Sequence, residues 1–108
     1  MYAFNGYDIS LTRGDTLTFA LVMEGRTIPA NARALFTVKA RPRDERAAIE
    51  KNVPIVNNTA VIELLPEDTR DMRARVYCWD ARVLYANGEV RTPMEYAAFE
   101  VTEVIGDG

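Results

Sequence analysis

The sequence predicts an all-β protein: an antiparallel β-sandwich of seven to eight strands, with one short helical turn near residues 66–72. Apolar and polar side chains alternate along most of the chain, which is the pattern of half-buried strands. Turn-forming residues recur about every ten positions, as in sandwiches. The 108 residues, 48% of them hydrophobic, are enough to bury one core, so we expect a single domain over 1–108.

The first elements lie between residues 7 and 24. Two alternating runs, 7–12 and 16–23, flank Arg13-Gly14-Asp15, where Gly14 can adopt a positive φ. They form either a hairpin or one bent strand that changes sheets at Gly14, and we favour the bent strand, which sandwich folds often use. The tripeptide matches a receptor-binding motif, but we interpret it as a turn.

The next strand covers residues 35–40, and Pro42 ends it because proline cannot pair within a central ladder. Residues 43–51 favour a turn followed by a short strand, although their composition also suits a short helix. Asn57-Asn58 indicates a turn, since asparagine tolerates left-handed φ. A further strand is predicted over 60–65.

Pro66 opens the predicted helical turn, where a missing N–H costs nothing. Residues 75–85 form the longest predicted strand, with one aromatic and one mixed face, as expected of a central strand. Asn87-Gly88 predicts a hairpin with a type I′ turn, and residues 96–105 close the domain. The predicted core comprises Phe19, Phe36, Ile62, Leu64, Tyr77, Trp79, Val83, Phe99 and Val101, with Ile105 as a further inward position.

Little catalytic chemistry is available to this chain. It has no histidine, which excludes Ser–His and Cys–His pairs and most zinc sites. We interpret Ser10, the single serine, as solvent-facing and Cys78, the single cysteine, as a small hydrophobe within a sheet. The six glycines are scattered and form no phosphate-binding loop. We therefore predict no catalytic residue, no cofactor and no metal.

Carboxylates remain as the catalytic alternative. Glu67, Asp68 and Asp71 lie around the predicted helical turn, and paired carboxylates can hydrolyse glycosides or hold a hard cation. Acids are already favoured electrostatically at the start of a helical turn. We therefore interpret them as capping residues and keep a carboxylate-dependent hydrolase as the weakest hypothesis.

The charge and the termini narrow the expected partners. A net charge of −3 argues against nucleic acid. Residues 1–6 lack the features of a signal peptide, and the longest apolar run, 19–23, is too short to span a bilayer. One cysteine allows no intrachain disulfide, which suits a reducing compartment. We expect a soluble protein made in the cytoplasm, with no nucleic-acid or membrane partner.

Leu65–Thr69 followed by Val76–Cys78 resembles the corner and strand that carry the second cysteine of immunoglobulin variable domains. No earlier cysteine is present to pair with Cys78, so the similarity is one of architecture. It implies a helical corner that leads into a central strand.

A longer resemblance depends on six segments and their order. They are Ile9–Thr16, Phe36–Lys39, Ile62–Thr69, Tyr77–Asp80, Gly88–Thr92 and Phe99–Thr102. Together they resemble the small immunoglobulin-like β-sandwich proteins of tailed-phage and prophage structural modules, including the N-terminal domain of baseplate upper proteins. Met72–Arg75 departs from that family, which tends to place a glycine before the Tyr strand. The resemblance implies a virion-associated, tail or baseplate module that contacts other phage structural proteins or itself.

Three apolar residues on the faces opposite the core are the predicted interface residues: Val22, Cys78 and Leu84. Such residues need cover from a loop or another subunit, and exposed strand edges offer a second route to association. The main alternative is a free-standing binding module for protein or carbohydrate. Its spare rings would be Tyr2, Tyr7, Tyr85 and Tyr96.

Overall fold

The computed structural model describes residues 2–5, 7–23, 27–92 and 96–103. Within these ranges nine strands form two facing sheets, and one short helix lies between two of the strands. The all-β sandwich predicted from the sequence is confirmed. The elements are β1 (Tyr2–Asn5), β2 (Asp8–Thr12), β3 (Leu17–Val22), β4 (Arg33–Lys39), β5 (Ile49–Pro54), β6 (Thr59–Leu64), α1 (Pro66–Thr69), β7 (Arg75–Leu84), β8 (Val90–Arg91) and β9 (Ala97–Thr102).

The large sheet has seven strands in the order β1-β2-β9-β7-β4-β5, with β8 beside β7, and the small sheet pairs β3 with β6. Every described pair is antiparallel, as predicted, except β2 and β9, which run parallel. These two strands lie some 90 residues apart in the chain, so no local pattern predicts their pairing. The order β9-β7-β4-β5 facing β3-β6 matches strands G-F-C-C′ facing B-E of immunoglobulin variable domains.

Over the described residues 7–23, the predicted bent strand is confirmed and the hairpin is excluded, because β2 pairs in the large sheet and β3 in the small one. Gly14 makes the crossing with φ +86°, a value that favours glycine. Its N–H donates to Oγ1 of Thr69 at 2.8 Å, and Thr69 is fully buried. This bond ties the sheet crossing to the helical corner.

Residues 41–48 form turns before β5 begins at Ile49, so the turn-and-strand interpretation of 43–51 is confirmed. The chain gains one strand that alternation does not predict, β1, which pairs with β2. The last strand, β9, ends at Thr102. Ile105, expected to face the core, lies outside the described residues.

An aromatic cluster centred on Phe36 fills the core between the sheets. Its ring centroid lies 5.6 Å from that of Phe19, 5.3 Å from Trp79 and 6.4 Å from Phe99. Phe19 comes from the small sheet and the other three from the large one, so the cluster joins the two layers. Val83 is buried as predicted, but it packs in a second cluster with Ala32, Ala34, Ile55 and Ala60.

The helical corner resembles its immunoglobulin counterpart more closely than the sequence indicated. The Tyr77 hydroxyl donates to the carbonyl of Arg73 at 2.9 Å, which is the hydrogen bond of a tyrosine corner. The core position two residues further on, which holds a cysteine in immunoglobulin domains, holds Trp79 here. Cys78 therefore faces the opposite side of the sheet.

Two hairpin turns differ from each other in type. Asn57 and Asn58 have φ of 53° and 58°, and Val56 and Thr59 exchange both backbone hydrogen bonds, so the type I′ turn lies here. The type I′ prediction for Asn87-Gly88 is wrong, because only Gly88 has a positive φ. That loop has three residues, 86–88, because the N–H of Tyr85 donates a hydrogen bond to the carbonyl oxygen of Glu89. A three-residue hairpin loop is typically a type I turn followed by a glycine in the left-handed region.

Candidate functional site

The candidate site among the described residues is the outer face of the large sheet, where two adjoining grooves lie. We define this outer face by the side chains of β4, β7 and β9 that point away from the core. On β7 these are the even-numbered residues, whereas Tyr77, Trp79, Ala81 and Val83 are buried. Strand alternation thus places a mixed polar and apolar row directly behind the aromatic core.

The first groove on this face lies against the loop that follows β4 and has a volume of about 190 Å³. Its floor includes Leu35 and Thr37 of β4 and Cys78 of β7, and Pro42 of the loop forms part of its wall. The charged side chains that line it are Lys39, Glu45, Glu50, Asp80 and Arg82. Both signs are present, so the groove is suited to a polypeptide surface with mixed charge.

A second groove of about 380 Å³ adjoins the first, and Cys78 and Tyr96 line both. The remaining lining is mostly apolar, with Ala40, Val76 and Ala98 among its residues. Val76 is 54% exposed and Tyr96 is 62% exposed. An exposed valine and an exposed tyrosine beside a shallow groove are features of protein contact surfaces.

Cys78 lies at the junction of the grooves but has the environment of an unreactive thiol. Its Sγ–H donates to the carbonyl of Lys39 at 3.3 Å. Partial burial raises the pKa of the Cys78 thiol, and the nearby carboxylates of Asp44 and Asp80 raise it further. A nucleophilic cysteine needs a lowered pKa, so the raised pKa argues against a nucleophilic role for Cys78. We interpret it as a half-buried residue of the groove floor.

The predicted interface residues do not form one surface. Cys78 and Leu84 are half-buried on the outer face, about 20 Å apart along β7, whereas Val22 lies on the small sheet and is 63% exposed. Tyr96 was predicted only as a spare ring of the alternative binding module, and Val76 was not predicted as a contact residue. The alternation that selected Cys78 also points to Val76, which occupies the same face of β7.

Of the three carboxylates near the corner, Asp68 makes contacts that stabilise the fold. Asp68 Oδ2 accepts a hydrogen bond from the N–H of Leu65 at 2.7 Å and an ion pair from Lys51 Nζ at 2.8 Å. This is the capping role expected for an acid in the first turn. On the outer face, Arg82 Nε lies 3.8 Å from Asp80 Oδ2.

Within the described ranges, no three metal-ligating side chains gather closely enough to hold an ion. No helix there is long and apolar enough to cross a membrane.

Comparison with known proteins finds no matching family model and no matching curated protein. Among solved structures, the chain is similar to part of a candidate glycoside hydrolase from Bacteroides vulgatus ATCC 8482, with 15% sequence identity and a TM-score of 0.48. The similarity covers 91% of this chain but 17% of that protein. The chain spans about a sixth of that protein's length, and a likeness of that degree indicates nothing about activity.

Proposed function

We propose that this chain is a non-enzymatic structural module of a phage or prophage particle, associated with the tail or baseplate, and that it acts through protein–protein contacts. The proposal depends on the composition and shape of the outer face. It combines two adjoining grooves, exposed Val76 and Tyr96, and charges of both signs. Exposed apolar groups surrounded by polar ones mark contact surfaces.

The six segments that resemble phage structural modules support this proposal. Most of them coincide with elements of the sandwich: 9–16 contains most of β2 and the sheet crossing, 62–69 joins β6 to α1, and 77–80 lies in β7. Two of the segments also contain the groove residues Lys39, Cys78 and Asp80. The resemblance therefore covers part of the proposed contact surface, whereas Val76 and Tyr96 lie outside the six segments.

The experiment is to purify particles from the producing host on a density gradient after prophage induction, and to quantify this chain by mass spectrometry. We expect it in a fixed ratio to the tail proteins, with tail genes flanking its own. A chain that remains entirely in the soluble fraction, encoded among unrelated genes, would overturn the proposal.

A pair of matched variants tests the surface itself. Val76→Asp places a charge on the outer face, and Val61→Asp places the same charge on the small sheet. These valines are 54% and 55% exposed, so both variants should fold. We expect Val76→Asp to reduce incorporation into particles and Val61→Asp to leave it unchanged. Equal incorporation of both variants would exclude the outer face as the contact surface.

The alternative function, a binding module for carbohydrate, is favoured by one observation. Tyr7 and Tyr96 are 65% and 62% exposed, and the N–H of Ala98, two residues beyond Tyr96, donates to Asp8, the neighbour of Tyr7. Tyrosine combines an apolar ring face with a polar hydroxyl, which suits stacking against a sugar ring. Saturable binding of an oligosaccharide in calorimetry, lost in Tyr96→Ala, would favour this alternative over particle assembly.

A further inference from the structure

Among the described residues, the edge of β3 that faces away from β6 is open. The described residues place β6 on one side of β3 and no strand on the other. The N–H of Met23 donates to Asn58, just before β6, at 2.8 Å. Because backbone groups alternate along a strand, those of Thr18, Ala20 and Val22 point to the open edge.

This edge lacks the features that usually prevent strand addition. Soluble proteins protect edge strands with charges, prolines or bulges. One edge of the large sheet follows that rule, since β5 carries Glu50, Lys51 and Pro54. The sequence of β3, Leu-Thr-Phe-Ala-Leu-Val, contains no charge and no proline.

We propose that the open edge of β3 pairs antiparallel with β3 of a second copy of this chain. Centred on Ala20, the pairing sets Ala20 against its own copy and Thr18 against Val22. All three have backbone groups aimed at the edge, so the pair would exchange about six hydrogen bonds. The strand is therefore complementary to itself in hydrogen bonding.

The side chains are self-complementary as well. In the same register Phe19 meets Leu21 of the second copy on the core side, and no charge opposes a like charge. Leu21 and Met23 pack on the core but remain half-buried. A second β3 would cover them and convert two small sheets into one of four strands, a symmetric contact of the commonest kind. This contact goes beyond the outer face proposed above and lies on the other sheet.

The test is the solution mass of the purified chain by light scattering across a concentration series. We expect the chain to dimerise, and Ala20→Lys to raise the dimer Kd roughly fivefold because the two ammonium groups would face each other. Ala20→Glu should do the same, and an equimolar mixture of the two variants should restore dimerisation. Val61→Lys is the matched control, since Val61 lies opposite Ala20 on β6, away from the open edge.

Ala20→Pro gives a stronger effect by a different route. The proline removes the N–H that faces the open edge, but it removes none of the N–H groups that pair β3 with β6. The dimer should therefore be lost while the circular dichroism spectrum is retained. A wild-type chain that is monomeric at every concentration would overturn the proposal. So would a dimer that all Ala20 variants retain. Neither result depends on whether the chain enters particles.

Discussion

The two sheets of the sandwich differ in how completely they are built. In the large sheet β7 has neighbours on both sides, and β5, at one of its two edges, carries charges and a proline. In the described residues the small sheet has only β3 and β6, and β3 has neither charge nor proline. A two-stranded sheet is marginal on its own, so the small sheet depends on the large one. The large sheet is the scaffold, and the small sheet is where another strand can extend the fold.

The strongest test of this dependence is Phe36→Ala. Phe36 is fully buried on β4 and contacts Phe19 of the small sheet, so its removal leaves a cavity between the layers. We expect the free energy of unfolding to fall by about 3–5 kcal/mol, measured by urea unfolding. Val61→Ala, at an exposed site, should change it by less than about 0.5 kcal/mol. A loss below about 1 kcal/mol for Phe36→Ala would mean that the sheets hold together without this cluster.

A smaller loss of stability is expected when the hydrogen bond between Gly14 and Thr69 is removed. Thr69→Val keeps the shape of the buried side chain but removes the oxygen that accepts the Gly14 N–H. Leaving that donor unsatisfied should cost about 1–3 kcal/mol, measured by thermal or urea unfolding. Thr69→Ser keeps the hydroxyl and should recover part of the loss. Equal stability of Thr69→Val and wild type would show that the crossing needs no such bond.

The smallest effect concerns the outer face, where burial raises the pKa of Cys78. The folded protein then holds the thiol proton to higher pH than the unfolded chain does. Any stability from this site is present below the unfolded pKa and is lost as pH rises through the folded one. Alkylation by iodoacetamide should reach half its limiting rate at higher pH in native protein than in urea. Identical pH profiles would contradict the raised pKa.

Local patterns in the sequence predicted the core but not the long-range pairing. Alternation correctly placed Phe36, Ile62 and Trp79 inside, because successive side chains of a strand point to opposite faces of the sheet. It could not predict the parallel pairing of β2 with β9, since partners distant in sequence leave no periodic signal. The residue pair Asn87-Gly88 alone predicted a type I′ turn, but the turn type also depends on the loop length, which the pairing of Tyr85 with Glu89 sets at three residues.

The candidate site was harder to predict for the same reason. Cys78 was identified as a surface residue from its place on β7. The grooves around it also need the loop after β4 and Tyr96, which only the tertiary fold brings together. Val22 was selected by the same alternation, yet it lies on the other sheet, at the open edge.

Amide hydrogen exchange, followed by NMR at low and high protein concentration, tests the difference between the two edges most directly. We expect the N–H groups of Thr18, Ala20 and Val22 to exchange rapidly in dilute solution and to become protected as concentration rises, whereas exchange of the β5 amides should not change. Concentration-independent exchange along β3, or protection that develops at β5 instead, would contradict this expectation.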